Sequence, residues 1–148
     1  MEKTVQIKNK RASFEYFLLE RFVAGMVLTG TEIKSIRQGK VNLTDAFCVI
    51  IKGEIWIKQM HISEYTFGNI NNHEPKRERK LLLTKRELRK IINKSKDVGI
   101  TIVPTLLYIN EKGLAKIEIA IAKGKKLYDK RDTLKQNDIK REIDRGGL

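Results

Sequence analysis

Only one cysteine, two histidines, two prolines and one tryptophan occur among the 148 residues. Cys48 has no intrachain disulfide partner, and with His61 and His73 as the only histidines a conventional Cys/His zinc cluster is not expected. Such a chain suits a reducing compartment. No segment reaches the roughly 18 uncharged apolar residues of a membrane-spanning helix, and Met1-Glu2-Lys3-Thr4 does not open a secretory signal. The expectation is a cytoplasmic protein without membrane contact. A nucleotide-binding glycine fingerprint is also missing, since Lys123-Gly124-Lys125-Lys126 is too short for a P-loop. Acidic residues are scarce, 18 against 31 Lys and Arg, which leaves a formal net charge of +13.

An apolar content of 41% supports a real core, and the length favours one domain with flexible ends. The excess charge is uneven. Lys76 to Lys96 holds ten basic residues against Glu78 and Glu87, and the stretch from Lys123 onward holds nine against five. The first eleven residues add Lys3, Lys8, Lys10 and Arg11 against Glu2. Positive charge of this density favours phosphate polyanions, because binding releases condensed counterions. An anionic membrane would call for a broad apolar helical face, and the tail offers only scattered Leu127, Leu134, Ile139 and Ile143.

After a short polar arm, Phe14 to Leu28 reads as strand material bent near Glu20 and Gly25. Thr29 and Glu32 form a capping-box pattern ahead of Ile33 and Ile36, with Gly39 as a stop, which predicts a short helix. Ala46–Ile51 and Glu54–Ile62 read as strands around a Lys52-Gly53 turn. Residues 69–75 read as a loop. Thr84 and Glu87 repeat the capping box before an inward stripe of Leu88, Ile91 and Ile92, while Arg86, Arg89 and Lys90 point away. Ile100–Ile109 and Leu114–Ala122 read as a hairpin across residues 110–113, with Pro104 at an edge or a bulge. Short strands, two capped helices and no βα repeat predict a small barrel decorated by helices.

No catalytic residue is expected. Cys48, amid Phe47, Val49 and Ile50, reads as a buried thiol, and neither histidine has a sequence-local acid-base or metal constellation. Phe14, Phe17 and Phe22 read as core, Trp56 as packed on the sheet, and Tyr16 as the aromatic best suited to a wet recognition surface.

Taken in order, Asn9-Lys10-Arg11-Ala12 with Glu15-Tyr16-Phe17, Ala24-Gly25, Leu28-Thr29-Gly30-Thr31-Glu32-Ile33-Lys34-Ser35, Gly39-Lys40, Met60-His61-Ile62, Arg79-Lys80-Leu81-Leu82-Leu83 and Ala122-Lys123-Gly124-Lys125-Lys126 with Asp129-Lys130-Arg131 cover nearly the whole chain. This series resembles the SsrA-binding protein family, also called the transfer-messenger-RNA-binding small protein B family. The resemblance implies a mainly β fold: an oligonucleotide-binding-type antiparallel β-barrel with flanking α-helices and a basic C-terminal tail. It divides the chain into an RNA-binding body over residues 1–122 and a tail over 123–148, disordered until bound to the ribosome.

The implied function is that of a non-catalytic adaptor with no metal or cofactor. It binds the tRNA-like domain of transfer-messenger RNA and delivers it to stalled ribosomes for trans-translation. A GTP-bound elongation factor takes part indirectly through the charged RNA, and the protein is expected to act as a monomer. Implied RNA-binding residues are Asn9, Lys10, Arg11, Tyr16, Lys123, Lys125 and Lys126. Tyr128, Asp129, Lys130 and Arg131 match the ribosome-sensing part of the tail. The chain departs from the family pattern at Ser13-Phe14, where Arg-His is common, and at Val23, where an acid is common. The alternative is a generic single-stranded RNA- or DNA-binding barrel.

Overall fold

Residues 5–67 and 72–125 are described by the structure, a computed structural model. Part of the expected 69–75 loop and all of the tail from Lys126, including Tyr128, Asp129, Lys130 and Arg131, lie outside the described residues. The chain opens with β1 (Gln6–Lys8), which pairs with the later strand β8 (Ile100–Ile109). The expected polar arm is thus partly a sheet strand. Next comes α1 (Lys10–Glu15), a six-residue helix where strand was expected to begin. Asn9 caps it through its side chain, and only Ala12 of the six is buried, so no apolar period announces the helix.

Strand β2 (Tyr16–Met26) is long and carries a register shift between Leu18 and Glu20, where the sequence suggested a bend. Both capping boxes are present. Thr29 and Glu32 start α2 (Gly30–Arg37), and Thr84 and Glu87 start α3 (Lys85–Ser95). The Lys52-Gly53 turn joins β4 (Phe47–Ile51) to β5 (Glu54–Lys58), and both turn residues have positive φ, as a two-residue hairpin requires. The strand expected to run on to Ile62 breaks at Gln59, which has φ 63°. It restarts as β6 (His61–Ile62), paired with β3 (Val41–Asn42) in a separate two-stranded sheet.

Strands β7 (Arg79–Leu82), β8 and β9 (Ala115–Gly124) complete the main sheet, ordered β1-β8-β4-β5-β7-β2-β9 with every pairing antiparallel. β9 also pairs with β8, so the pairings return to a strand already in the series. Pro104 sits beside the register shift in β8, and the missing N–H falls where the ladder is already interrupted. Strand β9 runs through Lys123 and Gly124, two residues past the body boundary expected at 122.

Ile55, Ile57, Leu107, Ile117, Ile119 and Ile121 fill the main core, which Ile36 of α2 and Ile91 of α3 seal. A smaller cluster of Ala12, Val103 and Ala122 lies under α1, with Tyr16 and Leu18 at its margin. The small side chains of Ala12 and Ala122 let the short helix approach the sheet closely. Cys48 is buried, and burial pushes its thiol pKa up, away from reactivity. Among the described residues no group of three or more His, Cys, Asp or Glu could hold a metal ion, and no helix is long and apolar enough to cross a membrane.

Candidate nucleic-acid interface

Asn9 organises the site. Its Nδ2 donates to the carbonyls of Leu43 at 3.1 Å and Pro104 at 2.8 Å, and its Oδ1 accepts the Ala12 N–H at 3.3 Å. The residue is only 8% exposed and both of its amide hydrogens are committed inside the protein. The side-chain amide is thus engaged in holding the start of α1. Asn9 pins α1 to the 43–44 loop and to β8, with Lys10 and Arg11 on the helix and Tyr16 at its C-cap.

Lys10 is exposed. Arg11 is exposed too, but its guanidinium is engaged by Glu15 at 2.8 Å and Asp45 at 3.0 Å. These pairs are solvent-facing and weak, so a phosphate can compete for the same donors. Tyr16 is half-buried, closes α1 through its backbone N–H, and borders a cleft of about 240 Å³ with Arg11, Thr44, Phe47 and Thr101. A phenol of this kind has one edge packed and one face toward water.

The far end of the chain reaches the same place. Tyr16 pairs with Gly124 and Phe17 with Lys123 in the β2–β9 register. Lys125 donates from Nζ to the Ser13 carbonyl at 3.1 Å and lies 5.3 Å from the Phe17 ring centroid, a cation–π contact. Two blocks more than a hundred residues apart in sequence thus form one basic surface around α1. Lys126 lies outside the described residues.

The chain resembles known proteins along nearly its full length. The family of SmpB proteins matches residues 6–147. The chain belongs to the SmpB family. The SsrA-binding protein of Parabacteroides distasonis is 61% identical over 145 residues, covering 98% of this chain and 95% of that protein. The SsrA-binding protein of Phocaeicola vulgatus is 60% identical, covering 95% and 94%. A solved structure described as "tmRNA-SmpB: a journey to the center of the bacterial ribosome" superimposes with a TM-score of 0.70 at 42% identity, covering 81% of this chain and 84% of the solved one. The shared architecture is a mixed α/β fold on an antiparallel sheet with oligonucleotide-binding-like topology.

Several features of this SmpB-family site escape a sequence reading. A second groove, of about 350 Å³, is lined by Lys8, Lys10, Ser13 and Arg21 together with Glu118. Arg21 pairs with Glu118 at 3.0 Å, and Glu118 also accepts from Thr105 at 2.6 Å. The basic count of the N-terminal arm pointed to Lys8; nothing local pointed to Arg21. Phe14, expected in the core, is 79% exposed on α1 because the helix turns it away from Ala12. His73, expected as an ordinary loop residue, is buried and bonded to Thr31 Oγ1 at 2.9 Å and the Ile62 carbonyl at 2.8 Å.

The largest surprise is ionic. Glu32 and Arg79 are both 0% exposed, joined at 2.6 Å, with Arg77 adding a second 2.6 Å contact to Glu32. Arg79 also donates to the carbonyls of Met60 and Pro75. Burial works to raise the Glu32 pKa. The Arg77 hydrogen bond, the Thr29 N–H and the charge of Arg79 outweigh it and hold the carboxyl below its usual range. Strand period offered the signal, since Arg79 lies two residues before buried Leu81 on the same inward face.

Proposed function

We propose that the chain is a non-catalytic RNA adaptor that binds the tRNA-like domain of transfer-messenger RNA and brings it to stalled ribosomes for trans-translation. Family membership supports this reading, together with likeness to a structure whose description names transfer-messenger RNA and the bacterial ribosome. The single observation that carries it locally is the meeting of the α1 block with the end of β9 in one basic surface. In this reading the sheet is a closed barrel, and the body extends to the end of β9. The segment beyond it is a tail that senses the ribosome through Tyr128, Asp129, Lys130 and Arg131.

Lys10, Arg11, Lys123, Lys125 and Lys126 meet RNA phosphates, Tyr16 stacks or hydrogen-bonds at the cleft, and Asn9 holds α1 in place. The protein acts as a cytoplasmic monomer and meets the GTP-bound elongation factor only through the charged RNA. Substitutions and truncation separate these roles. Tyr16→Ala should weaken binding to a folded tRNA-like RNA by about 1–3 kcal/mol where the ring stacks on a base. Lys125→Gln should lower the affinity and make the salt slope shallower by about one unit. Truncation after Leu127 should spare two-component RNA binding and abolish ribosome rescue. Intact RNA affinity in the body variants, with binding lost on truncation, would reverse the assignment.

A further inference from the structure

Two carboxylates meet the Arg11 guanidinium in the free protein. Nε donates to Glu15 at 2.8 Å and Nη1 to Asp45 at 3.0 Å. Both partners are held in place. Glu15 lies one turn along α1 from Arg11, the i,i+4 spacing at which opposite charges meet. Asp45 stands in a loop whose Leu43 and Ala46 are only 2% and 5% exposed. The loop is closed by the Ala46 N–H on the Leu43 carbonyl at 3.0 Å and by the Thr44 N–H on Asn42 Oδ1 at 2.8 Å. The Leu43 carbonyl also accepts from Asn9, the α1 cap, so one side chain ties the loop bearing Asp45 to the helix bearing Arg11 and Glu15.

As ion pairs these contacts stabilise the fold little, since all three side chains are exposed. Their geometry has another consequence. A guanidinium carries five N–H donors in a planar fork, and the clamp uses two of them, Nε–H and one N–H of Nη1. Nη2 has no acceptor among the described residues, so a phosphate can bind beside the carboxylates rather than in their place. Holding the guanidinium plane from two sides fixes a side chain that otherwise loses rotamer freedom on binding. The same two carboxylates line the cleft beside Tyr16 and Phe47. A phosphate laid in that cleft faces two negative charges, a repulsive element against strands free to place phosphates anywhere.

We propose that Asp45 and Glu15 determine specificity: they position the Arg11 guanidinium for one fixed phosphate of the folded RNA and keep the phosphates of a flexible strand out of the cleft. The proposal deepens the reading above and rests on it for the identity of the RNA. The test titrates full-length protein, in parallel, with folded tRNA-like RNA and with single-stranded RNA of equal length. Asp45→Ala should lose about three- to tenfold in affinity for the folded RNA, the range expected when one rotamer-rich side chain must be ordered on binding. For the single strand the same variant should gain about twofold or more. Removal of a negative charge alone would raise both affinities, as Glu111→Ala on the exposed β8–β9 turn should do to a smaller extent. Opposite signs therefore mark positioning.

In an Arg11→Gln background Asp45→Ala should no longer lower the folded-RNA affinity, because no guanidinium is left to orient. Asp45→Asn keeps an acceptor oxygen without the charge and should recover most of the loss. A rise in affinity for both RNAs on Asp45→Ala would overturn the proposal, since phosphate would then take the donors that the carboxylates hold. Unchanged affinities, an equal loss for both RNAs, or a loss that persists without Arg11 would overturn it too. Should Asp45→Ala melt early, Glu15→Ala measured with and without Arg11→Gln decides the matter. Failure of wild type to prefer the folded RNA would instead overturn the earlier reading, while the coupling between Arg11 and Asp45 is still scored on the folded RNA.

Discussion

Asn9, implied in RNA contact, spends its side-chain amide on bonds within the protein. Replacing it with alanine removes the α1 cap and leaves the Leu43 and Pro104 carbonyls without their donor. Asn9→Ala should therefore cost about 2–3 kcal/mol in urea unfolding, with RNA affinity falling as α1 loosens. Full stability with selective loss of RNA binding would restore direct contact. Glu32 makes a second residue-scale prediction. Its folded pKa lies below the ordinary carboxylate value, so the stability it contributes is complete at neutral pH. That contribution is lost as pH falls past the ordinary value toward the folded one. Glu32→Gln strands the buried Arg79 charge and should cost about 3–5 kcal/mol at pH 7. Melting temperature followed from pH 7 to pH 3 should fall less steeply in the variant than in wild type; an equal slope would contradict the pKa assignment.

At the scale of elements, the two capping boxes were legible because Thr and Glu at fixed spacing satisfy specific orphan N–H groups. Thr84→Ala should cost about 1 kcal/mol in chemical denaturation and leave binding of the tRNA-like RNA unchanged, since α3 lies on the other core. A loss of that binding would tie α3 to the α1 surface. The β4–β5 and β8–β9 hairpins were equally legible from turn chemistry, and Pro104 from its missing donor. Strand β1 and helix α1 were not: three residues cannot show a period, and α1 buries one alanine. The break at Gln59 was hidden because the residues on both sides are strand formers, and only tertiary pairing separates them.

On the scale of the whole molecule, the net charge of +13 announced a polyanion partner without naming it. Family landmarks named it, and the fold explained why they are scattered. The β2–β9 register brings Tyr16 against Gly124, next to Lys125, and Asn9 anchors the preceding helix, while Glu32 and Arg79 form one buried ion pair. Buried residues such as Glu32 and Arg79 thus stand in the same series of landmarks as exposed cations such as Lys10. Parallel titration of the purified protein with folded tRNA-like RNA and with single-stranded RNA of equal length, at one fixed salt concentration, probes RNA recognition. An adaptor for the tRNA-like domain binds the folded RNA more tightly at equal phosphate number. Equal affinities would mean that charge alone is read, and would make the chain a generic nucleic-acid-binding protein.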